Sequence, residues 1–239
     1  MYSQKIYRLF IYLAGLAILA LGITLNTKTG LGVSAVISVP YSLSVILDIS
    51  IGDMTLIVYS CFVVVQMILH LIERKRPSDV PAPSIGKILF MDLLQIPISI
   101  IFTRFMNLFS DKIPVLTTLP PDTLFGSYVG RFILLFIAIT ATGIGAAMSL
   151  NMRIIPNPGD GIVQGLADFT GKNMGLVKNC FDGLSLIVSV IISLVFTGHI
   201  VGIGIGTVAA VIGIGRVIAV FNHLTLHTLL KNAGMSASI

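Results

Sequence analysis

A chain of 239 residues that is 55% hydrophobic and only 10% charged is not an ordinary soluble domain, which carries about 25% charge. Its solvent is the bilayer. The net charge of +5 comes without a basic stripe interleaved with aromatics, which excludes nucleic acid as a partner and leaves the charge as a signal of membrane orientation.

Residues 1–8 are polar and hold Lys5 and Arg8; residues 9–25 are apolar. Ala14, Ala17 and Ala20 would suit a signal peptide, but the run is long and further spans follow, so it reads as an uncleaved first span. Residues 31–50 are weaker, interrupted by Pro40 and by serines. Ser34, Ser38 and Ser42 share one helical face. Residues 54–72 form a clean span ending in Glu73-Arg74-Lys75-Arg76 and a proline-rich loop. Residues 85–104 form a span interrupted by Asp92, Gln95 and Pro97. Residues 107–123 read as a polar loop, 124–150 as a span with Arg131 near its start, 174–196 as a span holding Lys178 and Asp182, and 201–221 as a glycine-rich span. Its glycines predict close helix packing. A surface helix and a frayed end are expected after residue 222. Cys61 and Cys180 lie in apolar runs and read as small packing residues, not as a disulfide.

Between two of these spans lies the stretch Ile154–Gly171. Asn157 is an N-cap, Pro158 fits the first helical position, Asp160 can close a capping box, and Gly171 is a stop. The helix of about 13 residues spans roughly 20 Å, against about 30 Å of hydrocarbon. It therefore lies on the surface or enters and returns.

An offset of 123 residues aligns Arg8 with Arg131, Gly22 with Gly145, and Ser34/Ser38/Ser42 with Asn157/Gly161/Gly165. Both halves share one order: long span, short broken helix, two long spans. If the short helix of the first half crossed, the basic cluster Arg74–Arg76 would lie outside, against the positive-inside tendency. If it returns, the cluster is inside, and each half has three crossings. An odd number inverts the second half. Lys28 and Lys112 then fall outside and count weakly against this topology.

The expected architecture is therefore all-α and integral to the membrane, with two inverted-topology repeats of three transmembrane helices plus one short re-entrant or interfacial helix. Residues 1–106 form the first repeat, 107–123 an external linker, 124–222 the second repeat and 223–239 a cytoplasmic tail. The alternative is eight spans in two parallel four-helix repeats.

Leu31-Gly32-Val33-Ser34 after the first span, paired with Asn157-Pro158-Gly159-Asp160 in the second half, resembles the bacterial YczE/YitT-type membrane proteins. In that group each half tends to read Leu-Gly-x-(Ser/Gly)-Pro-x-Asp. Here Ala35-Val36-Ile37 stands where the first Pro and Asp would be, so only the second motif can inherit an acidic role. The resemblance implies a multi-pass bacterial inner-membrane protein.

Ionisable groups at membrane depth are candidate functional residues, since an unpaired one costs about 2.5–3.5 kcal/mol on insertion scales. Lys178 and Asp182 are four apart and can pair. Asp92 and Gln95 share a face, and Asp92 needs a cation from another helix, with Arg131 and Arg216 as candidates. A re-entrant helix at Asn157 would offer free N–H groups, while Asp160 in its first turn favours a cation, an ammonium or a proton over an anion. The expected substrate-binding set is Asn157, Asp160, Lys178, Asp182, Asp92, Gln95, Ser34 and Ser38.

His223 and His227 lack further ligands for a metal. No nucleophile–His–acid set is present, so neither an enzyme nor a cofactor is expected. The function expected is a small-molecule transporter or permease in the bacterial inner membrane, both termini cytoplasmic. The competing expectation is a non-transporting accessory or scaffold subunit for a membrane or cytoplasmic protein partner.

Overall fold

The computed structural model describes residues 2–73 and 84–235. The basic cluster Arg74–Arg76 and the last four residues lie outside the described residues. Nine α-helices and one short 3-10 turn appear among the described residues: α1 (Tyr2–Lys28), α2 (Ala35–Leu47), α3 (Ile51–Glu73), α4 (Ile85–Leu93), α5 (Gln95–Lys112), α6 (Tyr128–Asn151), α7 (Pro158–Thr170), α8 (Met174–Thr197) and α9 (Ile205–Asn232), with the turn at Leu116–Thr118. Six helices, with α4 and α5 counted as one, are long and apolar enough to cross a membrane. The chain is thus a multi-pass apolar helical protein. Helices α2 and α7 have 13 residues each, about 20 Å of helix, and are too short to span.

Local chemistry sets these boundaries. Asn157 Oδ1 accepts from Gly159 N at 3.3 Å, Pro158 opens α7, and Gly171 closes it with φ +64°, a left-handed conformation that glycine adopts without a Cβ penalty. The expected capping box does not form: the Asp160 carboxylate turns to Lys178 instead. Pro97 removes the donor that would bond Leu93, and the chain kinks at Leu94, between α4 and α5. Two helices outrun the sequence reading. Helix α5 continues to Lys112, so the polar loop begins later than residue 107, and α9 runs through Asn222 to Asn232 without a break.

Helices α1 and α6 form the central antiparallel pair. Glycines bring their backbones together. A Cβ on Gly22 would fall 2.9 Å from Ala138 O, and one on Gly145 would fall 2.7 Å from Gly15 O. At one end of the pair Arg8 donates through Nε to Met152 O and through Nη2 to Arg153 O, both at 2.6 Å. At the other end Arg131 Nε donates to Thr29 O at 2.7 Å. The two glycine contacts exchange under the 123-residue offset, and so do the Arg8–Met152 and Arg131–Thr29 contacts.

Around this pair, α9 packs on α6 and α5 on α1, while α2 packs on α8 and α7 on α3. Two of the α9 glycines pack closely as their spacing predicted: Gly206 N donates to Leu31 O at 2.7 Å, and a Cβ on Gly213 would meet Ile139 at 2.8 Å, whereas Gly215 faces open space. Cys61 and Cys180 are free, as expected, but exposed on α3 and α8 rather than packed inside.

Candidate intramembrane polar site

The start of α7 lies deep. A Cβ on Gly159 would come 3.0 Å from Val36 of α2 and 3.3 Å from the Tyr59 hydroxyl of α3. Tyr59 is the ninth residue of α3, about 12 Å along the helix from its start. Val36 and Gly159 are themselves 123 residues apart, so the two short helices meet beginning to beginning. Pro40 in α2 also leaves the Val36 carbonyl without its helical donor.

Two polar clusters flank α7. Toward α8, Lys178 Nζ lies 3.6 Å from Asp160 Oδ1, both partly exposed. Asp182 lies within electrostatic reach of both, and its Oδ1 is buried with no hydrogen-bond partner. The pairing expected within α8, Lys178 with Asp182, is thus replaced by one between helices: Lys178 reaches across to the first turn of α7.

Toward α3 and the α4–α5 kink lies a tetrad, buried except for the partly exposed His70. Gln66 Nε2 donates to Asp92 Oδ1 at 2.8 Å, and His70 Nδ1 lies 2.7 Å from Asp92 Oδ2. Gln95 Nε2 donates to Gln66 Oε1 at 3.2 Å and more weakly to Asp92 Oδ1 at 3.5 Å. Asp92 is 4% exposed and Gln95 1%. Neither Arg131 nor Arg216 pairs with Asp92 as expected: among the described residues the partners of Asp92 are His70 and two amides, and Arg131 is engaged at Thr29. Gln95 Oε1 is buried and unpartnered. The glycine face of α7 covers the tetrad. A Cβ on Gly161 would lie 2.7 Å from both Gln66 Oε1 and Gln95 Oε1, and one on Gly165 would lie 3.1 Å from Gln66 Cγ.

The serines have a different setting. Ser42 Oγ and Ser189 Oγ are 2.7 Å apart, Ser189 Oγ donates to Ser38 O at 3.1 Å, and Ser193 Oγ donates to Ser42 Oγ at 3.3 Å. Ser38 is fully buried, and its hydroxyl donates to Ala35 O at 2.6 Å. These hydroxyls knit α2 to α8. Ser34 is the α2 N-cap residue, without a side-chain capping bond. Of the expected set, Asn157, Asp160, Lys178 and Asp182 gather at the start of α7, Asp92 and Gln95 lie on its other flank, and Ser38 belongs to the serine interface.

Tyr59, Gln66 and His70 were missed. Gln66 and His70 are four residues apart in an otherwise apolar span, a polar pair on one face that the sequence does display. Tyr59 gives no such signal. A shallow pocket of about 400 Å³ lies elsewhere, lined by Thr117, Ser127, Tyr128 and Arg131 among others; no residue of either cluster lines it.

Among the described residues, no three His, Cys, Asp or Glu side chains gather to hold a metal. The arrangement offers hydrogen-bond acceptors and carboxylates on both flanks of a helix that starts inside the protein. No curated protein and no solved structure matches the chain. A profile of a family of unknown function, DUF6198, matches residues 6–223. That description does not by itself confirm the resemblance of the two short motifs to the YczE/YitT-type group. With a match across most of its length, the chain belongs to the family of unknown function DUF6198.

Proposed function

We propose that the protein is a small-molecule permease of the bacterial inner membrane, built from two inverted-topology repeats with both termini cytoplasmic. The inverted reading is supported by contacts that exchange under one offset: Arg8–Met152 with Arg131–Thr29, and Gly22–Ala138 with Gly145–Gly15. Reciprocal contacts of this kind are the signature of a two-fold interface. The meeting of Val36 with Gly159 puts equivalent positions on its axis. In this reading α2 and α7 enter from opposite sides, meet near the midplane, and return.

The observation that carries the permease reading is the cluster at the start of α7. Asp160, Lys178 and Asp182 surround a helix beginning inside the protein, and one carboxylate oxygen there is buried and unpartnered. Ionisable groups at such depth are retained for function more readily than for stability. The solute would sit between the first turn of α7, Tyr59 of α3, and Lys178 and Asp182 of α8. No catalytic role is proposed for these residues.

The test is solute-induced current or uptake in proteoliposomes containing the purified chain, with Asp160→Asn and Lys178→Ala beside the wild type. Both variants should express normally and lose flux. Wild-type flux in both would refute the site. A purified chain that carries nothing, together with a stable co-purifying membrane protein, would favour an accessory subunit instead.

A further inference from the structure

We infer that the solute is a small organic cation bearing a primary ammonium group. This rests on the permease reading for its transport, though not for its binding. The charge at the start of α7 is the first observation. Asp160 and Asp182 face one cation, Lys178, so the cluster is short of one positive charge. The helix N-terminus would favour an anion, but Asp160 already stands in that first turn, and Asp160 and Asp182 share the one lysine between them.

The second observation is an unsatisfied atom: Asp182 Oδ1, on the α8 flank of α7, is buried and without a hydrogen-bond partner. An anion brings further acceptors and would leave this oxygen unpaired; an ammonium brings three donors and no acceptor. The third observation is aromatic. Tyr59 and Phe62 have ring centroids 6.0 Å apart, and Phe181, next to Asp182, meets Phe62 edge-on at 5.4 Å. Ring faces attract an organic cation and its alkyl part. A hard divalent metal would instead want about six oxygen ligands, and the donor set does not converge to provide them.

The test is thermal unfolding of the full chain in mild detergent, titrated with ethylamine, ethanolamine and putrescine, and in parallel with acetate, succinate and phosphate. Asp182→Asn, close in shape, removes one of the two carboxylate charges. Asp168→Asn on the exposed side of α7 is the control. At least one amine should raise the melting temperature saturably, with affinity about tenfold or more weaker in Asp182→Asn and unchanged in Asp168→Asn. If Asp182→Asn melts abnormally without ligand, Asp160→Asn reads the same loss. Stabilisation by an anion alone, a wild-type amine response in both the Asp182 and Asp160 variants, or no response to any amine would overturn the inference. An amine that binds without being carried refutes the permease reading and leaves the ligand class standing; a carried anion does the reverse.

Discussion

Replacing Gly161 by alanine tests how closely α7 is seated on the tetrad. The added methyl would lie 2.7 Å from both Gln66 Oε1 and Gln95 Oε1, well inside ordinary carbon–oxygen contact. Neither amide is free to withdraw: Gln66 donates to Asp92 at 2.8 Å, and Gln95 donates to Gln66 at 3.2 Å. At least one bond must break with a buried partner left behind, at about 1–3 kcal/mol, and crowding adds about 1 kcal/mol. Gly165→Ala is the matched comparison. Its methyl would stand 3.1 Å from Gln66 Cγ and 3.8 Å from His70 Nε2, a contact the long side chain can absorb. Both changes gain about 1 kcal/mol of helix propensity, so their difference isolates the clash. Gly161→Ala should be less stable than Gly165→Ala by about 2 kcal/mol, measured by denaturant-induced unfolding in mild detergent. Adding Gln95→Ala to Gly161→Ala should recover part of the loss. Equal stability of the two alanine variants would refute the placement of α7.

Gly22→Ala and Gly145→Ala should destabilise by similar amounts, about 1–3 kcal/mol each, because each methyl meets the facing backbone (Thr142 N and Leu19 N); a large inequality in melting temperature would count against an isologous α1–α6 contact. Arg8→Ala and Arg131→Ala should each lose about 1.5–3 kcal/mol, since each strips a charged donor from carbonyls at one end of that pair; unaltered unfolding in either variant would contradict the bonds. Cys61→Ser and Cys180→Ser should change stability by less than about 0.5 kcal/mol, because both thiols are exposed. Denaturant-induced unfolding in mild detergent checks this, and a larger loss in either variant would contradict that exposure.

Six spans and two short helices were legible from hydropathy, and the ends of α7 from Asn157, Pro158 and Gly171. These are local signals, and local chemistry decided them. What escaped were decisions made between helices. The four-residue spacing of Lys178 and Asp182 favours an intrahelical pair, yet a lysine stem is long enough to choose the nearer carboxylate, and packing of α7 on α8 supplies Asp160. Asp92 announced the need for a partner without naming it. The nearest strong donors proved to be a histidine and an amide one helix away, on a face of α3 that reads as apolar unless Gln66 and His70 are seen together. The length of α9 was missed for the opposite reason: its polar residues after Asn222 continue a helix that nothing in the sequence terminates before Asn232.

The two short-helix interfaces differ in their chemistry. Under the 123-residue offset Ser38 and Ser42 correspond to Gly161 and Gly165, while Ser189 and Ser193 on the facing helix correspond to Gln66 and His70. Both interfaces keep the same register, since Ser42 meets Ser189 as Gly165 meets Gln66. Where small hydroxyls face small hydroxyls, they bond one another and nearby carbonyls, and the helices close on each other. Where the short helix gives up its side chains, the space goes to an amide and an imidazole, which recruit Asp92 and Gln95 from the kinked α4–α5 span. A glycine stripe in a membrane helix is commonly a device for close packing. On α7 it admits polar side chains of the facing helices instead, and only that half carries carboxylates on both flanks of its short helix. The two interfaces differ because hydroxyls close α2 onto α8, whereas the glycine face of α7 leaves room for amides, an imidazole and carboxylates.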